Sequence, residues 1–180
     1  EDWIPKGTKV VDTLVTTPGN PWYGKIGIPG TRLSGILMKQ VSFVTSLKPI
    51  LTSMYGSLEP EDVAQLLIRY WQALEAIYPE AFKEPGEYVI QKTVGVFPLH
   101  AIAPQVFDMV RTANTKITKD GILEVLHGLA HNLDKGYEAG SAFWHSKEGE
   151  AGKYAGAKGF RILTEILKEN MPELKKLKVV

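Results

Sequence analysis

The chain has 180 residues, and its balance of 44% hydrophobic to 23% charged residues is typical of one globular domain with a hydrophobic core. It contains no cysteine, which excludes disulfides, thiolate metal sites and cysteine nucleophiles and favours a reducing, cytoplasmic location. Because 21 Lys and Arg stand against 20 Asp and Glu, the net charge is +1, and only a local basic patch would support nucleic-acid binding.

Residues 1–35 are rich in proline and glycine, which both oppose a regular helix. We therefore predict an irregular N-terminal arm that packs on the domain through its apolar residues. Within this arm, Pro21–Ile26 is expected to form one short strand. The apolar residues expected to face the core are Val10, Val11, Leu14, Val15, Trp22, Tyr23, Ile26 and Ile28.

The next part of the chain has helical periodicity. Apolar residues three and four positions apart predict a helix over 39–55, with a kink or break near Lys48, because Pro49 removes an intrahelical hydrogen bond. The strongest local signal is a helix that begins at Pro60 and ends before Pro79. Two acidic residues in its first turn complement the positive end of the helix dipole.

The same periodicity continues toward the C-terminus. The remaining predicted helices are 88–94, resumed at 103–113 after an interruption near Gly95 and Pro98, then 119–133 with Thr118 as its N-cap, and about 155–170. No segment approaches the roughly 20 consecutive apolar residues that cross a bilayer, and no secretory signal begins the chain, so we expect no membrane association.

These patterns predict a mainly α fold. We expect a single compact helical domain of about five helices over 36–172, preceded by the irregular, partly extended arm 1–35. A basic tail, 173–180, follows the domain. Its cations are Lys175, Lys176 and Lys178.

One pair of histidines has the spacing of metal ligands. His127 and His131 lie four residues apart on a predicted helix, with Glu124 and Asp134 on the same side. The same four residues also suit the solvated face of an amphipathic helix, and no His-Glu-x-x-His motif supplies a general base. We favour the solvated face and expect no metal or other cofactor, with a metal site at these residues as the weaker alternative.

A glycine-rich stretch before the last helix carries four cations: Lys147, Lys153, Lys158 and Arg161. Backbone N–H groups and the helix dipole at a helix start can receive an anion, so a phosphate or a nucleic-acid backbone could bind there. No Gly-Lys-Ser or Gly-Lys-Thr sequence closes the stretch, so nucleotide hydrolysis has no support. The alternative is a solvated, flexible connection.

Aromatic residues suggest two further roles. Phe143 and Trp144, if exposed, could stack on a base, although such residues more often fill gaps in a core. Tyr70, Trp71 and Tyr88 form a group that could line a pocket, but their spacing favours core packing. No Gly-x-Ser-x-Gly elbow or catalytic triad order is present, so nucleophilic catalysis has no support.

Four segments carry a resemblance to a known family: Pro21–Ile26, Ser42–Pro49, Tyr70–Pro79 and Lys92–Gly95. Their order resembles the C-terminal half of the DGQHR-domain proteins, which include regulators and accessory proteins of bacterial DNA phosphorothioation systems. The resemblance runs from about residue 10 to the end of the chain. The Asp-Gly-Gln-His-Arg sequence that names the family is absent from these residues.

The resemblance implies a role around DNA, in restriction-modification or defence, as a DNA-binding regulator or an accessory to modification. It also implies that the half bearing the signature lies upstream. Three hypotheses follow: a helical module that binds DNA or a protein partner through the four cations of the glycine-rich stretch, a structural domain that packs against that N-terminal half, and a metal-dependent enzyme. The enzyme is the least supported of the three.

Overall fold

A computed structural model of the chain describes residues 2–32, 34–134 and 140–173 and has a mainly helical fold. Eight α-helices lie within these ranges, rather than the five expected. They are α1 (Trp3–Thr16), α2 (Gln40–Ser46), α3 (Lys48–Leu51), α4 (Pro60–Ile77), α5 (Pro79–Lys83), α6 (Thr93–Ala113), α7 (Lys119–Leu133) and α8 (Gly156–Glu169). Short 3-10 helices at Met54–Ser57, Gly140–Trp144 and Glu150–Lys153 connect them.

The helices with clear end signals lie where the sequence predicts them. α4 begins at Pro60 and α7 begins after Thr118, whose hydroxyl oxygen accepts a hydrogen bond from the amide of Gly121 at 3.0 Å. α8 matches the helix predicted at about 155–170. α4 and α7 each combine an apolar stripe with a residue that fixes the helix start, whereas α8 has the apolar stripe without a capping side chain.

The prediction that 1–35 contains no helix is wrong, because α1 spans Trp3–Thr16. Pro5 lies in the first turn of α1, where a missing N–H leaves no intrahelical bond unmade. Gly7 faces inward, and a Cβ there would lie 3.0 Å from a methyl group of Val44. The glycine therefore allows α1 to approach α2 closely.

The rest of the arm is partly extended, as expected, but the strand is shorter than predicted. Residues 21–25 form turns, and β1 (Ile26–Gly27) pairs in parallel with β2 (Met38–Lys39). Most of the arm's apolar residues are buried, whereas Ile28 is half-buried. Tyr23 was expected to face the core and is instead 50% exposed.

Prolines have different effects in the two middle helices. The helix predicted over 39–55 is broken at Leu47 into α2 and α3, close to the break expected from Pro49. By contrast, α6 runs without interruption through Pro98 and Pro104. Burial of α6 along most of its length compensates for the two hydrogen bonds that its prolines cannot donate. The helix predicted over 88–94 is wrong before Thr93, because Tyr88 forms an isolated β-bridge with His145 and residues 89–92 form bends and turns.

The core forms around α4 and α6. α1 and α7 pack against α4, while α2, α3, α7 and α8 pack against α6. Trp22 joins this core from the arm, with its ring edge against Phe43 at a centroid distance of 4.9 Å and against Trp71 at 5.1 Å. Edge-to-face aromatic contacts of this kind add to the free energy gained from burial.

Among the described residues, one helix meets the length and hydropathy expected of a membrane span, which the sequence analysis did not anticipate. This helix is α6, and 61% of its apolar window is buried inside the fold. Most of the apolar residues of α6 therefore pack inside the fold, as they do in the core helix of a soluble protein. The predicted basic tail lies almost wholly outside the described residues, since only Glu173 is included.

Substitution of Gly95 should strongly destabilise the fold. A Cβ at Gly95 would overlap the carbonyl oxygen of Val89 and lie 2.6 Å from Cα of Ile90. We expect Gly95→Ala to lower the free energy of unfolding by about 3 kcal/mol, because backbone atoms must move at the start of α6. Gly86 is the matched control, since nothing lies within 4 Å of the position that a Cβ would take there.

Chemical unfolding of the two variants measures the difference. Gly86→Ala should stay within about 0.5 kcal/mol of the natural sequence. Equal stability of the two variants would show that the approach of residues 89–90 to α6 is not a constraint on the fold.

Candidate functional site

The start of α8 is where predicted anion-binding residues come together. α8 begins at Gly156, its N-cap residue Ala155 gives no side-chain hydrogen bond to the first amides, and its first turn contains no acidic residue. Lys158 and Arg161 are exposed and lie three residues apart on this helix. Free N–H groups at the positive end of a helix dipole, with two cations nearby, favour an anion.

The other side of α8 is held firmly by the core. Phe160 stacks on Phe97 of α6, with ring centroids 5.0 Å apart and an angle of 19° between the ring planes. A Cβ at Gly159 would overlap the carbonyl group of Tyr154, so the chain enters α8 through a tight turn. A ligand at this helix end would meet a surface that is already ordered.

The other two predicted cations are less well placed. The ammonium group of Lys153 donates to a carboxylate oxygen of Glu150 at 3.0 Å, and the hydroxyl of Tyr154 donates to the other oxygen at 2.7 Å. The Tyr154 hydrogen bond, followed by that of Lys153, lowers the pKa of the Glu150 carboxyl. Lys147 is exposed and lies in the turn before this group. Lys153 would therefore have to exchange a carboxylate for a phosphate.

A cleft of about 500 Å³ beside Lys147 suits a cation better than an anion. Glu80 and Glu148 contribute carboxylates to it, and Tyr88 packs its ring against the edge of His145 at 5.3 Å. The Nδ1 atom of His145 accepts hydrogen bonds from the amides of Lys147 and Glu148, at 3.2 and 3.1 Å. The neutral ring therefore carries its proton on Nε2.

The weaker metal candidates do not form a coordination site. Glu124, His127 and His131 are exposed on α7, and Asp134 is its C-cap residue. Within the described ranges, no three His, Asp or Glu side chains are grouped so that they could hold a metal ion. Burial raises the pKa of the Asp134 carboxyl, and the charge of His131 opposes that rise. Glu124, His127 and His131 have the arrangement of a solvated helix face, whereas Asp134 is half-buried.

Phe143 and Trp144 fill the core, which was the favoured expectation, and the alternative that they are exposed to stack on a base is wrong. Phe143 is 2% exposed and Trp144 is 1% exposed, because the 3-10 helix Gly140–Trp144 turns its aromatic side toward the core. Tyr70 and Trp71 are buried, which confirms the prediction of core packing. Tyr88 is half-buried.

The main polar group of the interior is a histidine that the sequence analysis did not single out. His100 lies on α6 with no exposed surface, and its Nε2 atom accepts a hydrogen bond from the indole N–H of Trp71 at 3.0 Å. Indole N–H is only a donor, so the proton of the neutral ring must be on Nδ1, which donates to the Ser46 hydroxyl oxygen at 2.8 Å. Ser46 in turn donates to the carbonyl oxygen of Phe43 at 2.6 Å.

This chain of hydrogen bonds leaves His100 without an unused ring nitrogen. Burial lowers the pKa of His100 to about 3, so the ring is neutral at physiological pH. Proton transfer to a substrate would require the ring to break one of its two bonds and to reach solvent. The role that this geometry supports is structural: His100 connects α2, α4 and α6.

No family model matches the chain, and no match is found among the curated proteins or the solved structures that were compared with it.

Acidification should destabilise the protein through His100. The folded chain keeps this ring neutral down to about pH 3, whereas the unfolded chain protonates it near pH 6.5. Between these values the unfolded state binds more protons, so stability falls as pH falls, by up to about 1.4 kcal/mol per pH unit from this group. Above about pH 6.5 the contribution is constant.

Urea unfolding at several pH values, compared between variants, isolates this contribution. His100→Gln should be less stable at neutral pH, because the Trp71 and Ser46 groups lose well-placed partners, and its stability should depend less on pH between 4 and 6.5. His127→Gln, at an exposed position on α7, is the matched control and should keep the dependence of the natural sequence. Identical pH dependence in His100→Gln and the natural sequence would contradict the assignment.

Proposed function

We propose that this chain is a helical binding module that contacts DNA phosphates through the start of α8. The proposal rests on one observation: the first turn of α8 is free of acidic residues and of a side-chain cap, and two exposed cations follow its start, Lys158 in the first turn and Arg161 in the second. It agrees with the role around DNA that the resemblance to DGQHR-domain proteins implies. Because the net charge is only +1, binding would be local and would not involve the whole surface.

The four predicted cations would contribute unequally. Lys158 and Arg161 are the principal contacts, because both share the helix end that offers N–H groups to a phosphate. Lys153 contributes less, since it already pairs with Glu150. Lys147 is next to carboxylates that repel phosphate, so its contribution is the smallest.

A structural role against a further part of the same polypeptide, or against another protein, is the second candidate. Six large apolar side chains of the described residues are at least one-third exposed, including Val41 at 69% and Met54 at 56%. They belong to α1, α2 and α8, to the turn at Tyr23 and to the segment around Met54–Ser57. These side chains come from five separate segments of the chain, whereas Lys158 and Arg161 lie three residues apart near one helix end.

Removal of the two α8 cations should weaken DNA binding and reduce its dependence on salt. Each lost phosphate contact lowers the slope of log affinity against log salt concentration by about 0.9 on duplex DNA, so Lys158→Gln combined with Arg161→Gln should lower it by about 1.8. Fluorescence anisotropy with a short labelled duplex, over a series of salt concentrations, gives both quantities.

Lys168→Gln is the matched control, since Lys168 is exposed on the last turn of the same helix. This variant should bind as the natural sequence does. The proposal fails if neither duplex nor single-stranded DNA binds at low salt, or if the double variant and the control lose affinity equally. Circular dichroism of the double variant confirms that α8 is intact.

A further inference from the structure

A second cleft, between the N-terminal arm and the corner where α4 meets α5, has an unusual combination of side chains. Its volume is about 460 Å³, which is within the range of small-molecule sites. We name it the Tyr23 cleft. The residues on which its chemistry depends are Tyr23, Lys25, Glu75, Phe82, Lys83 and Gln91.

The wall that carries Tyr23 is held rigidly. The side-chain amide of Asn20 donates to the carbonyl oxygens of Leu14 at 3.1 Å and Thr17 at 2.6 Å, while its oxygen accepts from the amide of Trp22 at 2.9 Å. The Trp22 ring is buried in the core beside this turn. Tyr23 nevertheless remains 50% exposed, so a flat aromatic surface is displayed on a fixed backbone.

Two more hydrogen bonds connect this wall to α4 and to the turn that precedes α6. Gln72 of α4 donates to the carbonyl oxygen of Gly19 at 2.9 Å, and Gln91 donates to that of Pro21 at 3.2 Å. This hydrogen bond fixes the orientation of the Gln91 side chain. Gln91 itself is 3% exposed. Among the described residues its side-chain oxygen accepts no hydrogen bond, which leaves one directed acceptor in the cleft.

The Tyr23 cleft is lined by both positively and negatively charged side chains. Lys25 forms no ion pair among the described residues, and its ammonium nitrogen lies over Gly35, within 3.3 Å of where a Cβ would be. Lys83 has only a distant contact with Glu80, at 3.9 Å, and both of these side chains are largely exposed. On α4, partial burial raises the pKa of the Glu75 carboxyl, although the charge of Lys119 opposes the rise.

We propose that the Tyr23 cleft binds one nucleotide unit, either a free nucleotide or an unpaired nucleotide of a single strand. The base stacks on the exposed ring of Tyr23, and the phosphate pairs with Lys25 and Lys83. Glu75 and the Gln91 oxygen accept hydrogen bonds from amino or hydroxyl groups of the base or sugar. An apolar ligand would leave both lysines unpaired, and a bare anion would leave the aromatic ring unused.

This inference goes beyond the proposed contact with duplex DNA and does not require it. The cleft is formed by the arm and the α4–α5 corner, whereas the duplex contact is at the start of α8. The other large cleft, around His145, lacks such a combination, because Glu80 and Glu148 line it and no lysine of the described residues does.

Isothermal titration of the protein with adenosine monophosphate, adenosine, inorganic phosphate and a short deoxyadenosine oligomer tests the proposal. The monophosphate or the oligomer should bind more tightly than adenosine or phosphate alone, since only the monophosphate and the oligomer carry both a base and a phosphate. Tyr23→Ala should weaken that binding about five- to 100-fold, whereas Tyr23→Phe, which keeps the ring, should bind nearly as the natural sequence does. Binding of the oligomer but not the monophosphate would identify a single strand as the source.

Charge variants complete the test. Lys25→Gln should weaken binding of the monophosphate but not of adenosine, and Lys9→Gln, an exposed position on α1, is the control that should change neither. The double variant at Lys158 and Arg161 should retain nucleotide binding, so failure of the duplex proposal and failure of this one are distinguishable. The inference is overturned if no nucleotide or oligomer binds at millimolar concentration, if phosphate alone binds as tightly, or if Tyr23→Ala is without effect.

Discussion

A buried hydrogen-bond chain from Trp71 through His100 and Ser46 to the carbonyl oxygen of Phe43 sets the geometry of this fold. Apolar burial is non-directional, whereas each member of this chain has one arrangement in which its donors and acceptors are satisfied. The chain joins α2 to α4 and α6, the two helices around which the others pack. Losing one member would leave buried polar atoms unpaired, which costs more than the bond itself contributes.

The same cluster supports both surfaces that we propose as binding sites. Trp22 packs its ring against Phe43 and Trp71, and its neighbour Tyr23 is thereby held in place at the cleft. α8 is anchored to α6, the helix of His100, through the stacked rings of Phe97 and Phe160. Both surfaces are therefore displayed on an ordered interior.

The sequence predicts those parts of the fold whose signals are local. Pro60 and Thr118 mark helix starts, and apolar residues at helical spacing follow each of them. α1 and α6 are mispredicted because proline and glycine were weighed by composition and not by position. Pro5 lies in a first turn, Gly7 faces a neighbouring helix, and the prolines of α6 are outweighed by tertiary packing. Only the assembled fold contains that information.

For the candidate sites, too, the sequence predicts what is local and misses what depends on the assembled fold. Residue type and chain position identify Lys158 and Arg161 on a helix start, but they do not reveal that Lys153 is already paired with Glu150. The exposure of Tyr23 inverts the expectation from the sequence, since an aromatic residue in an irregular segment has no periodicity from which its burial can be predicted. His100 likewise gives no signal, because its partners lie 29 and 54 residues away.

The central claim is that His100 is a neutral structural residue, and nitrogen-15 NMR of the imidazole tests it directly. The account predicts one resonance set with the proton on Nδ1 and an unprotonated, hydrogen-bonded Nε2, constant from about pH 4.5 to pH 8. A ring that carries its proton on Nε2, or that titrates near pH 6.5, would contradict the account. Such a result would mean that the interior contains a group free to exchange protons.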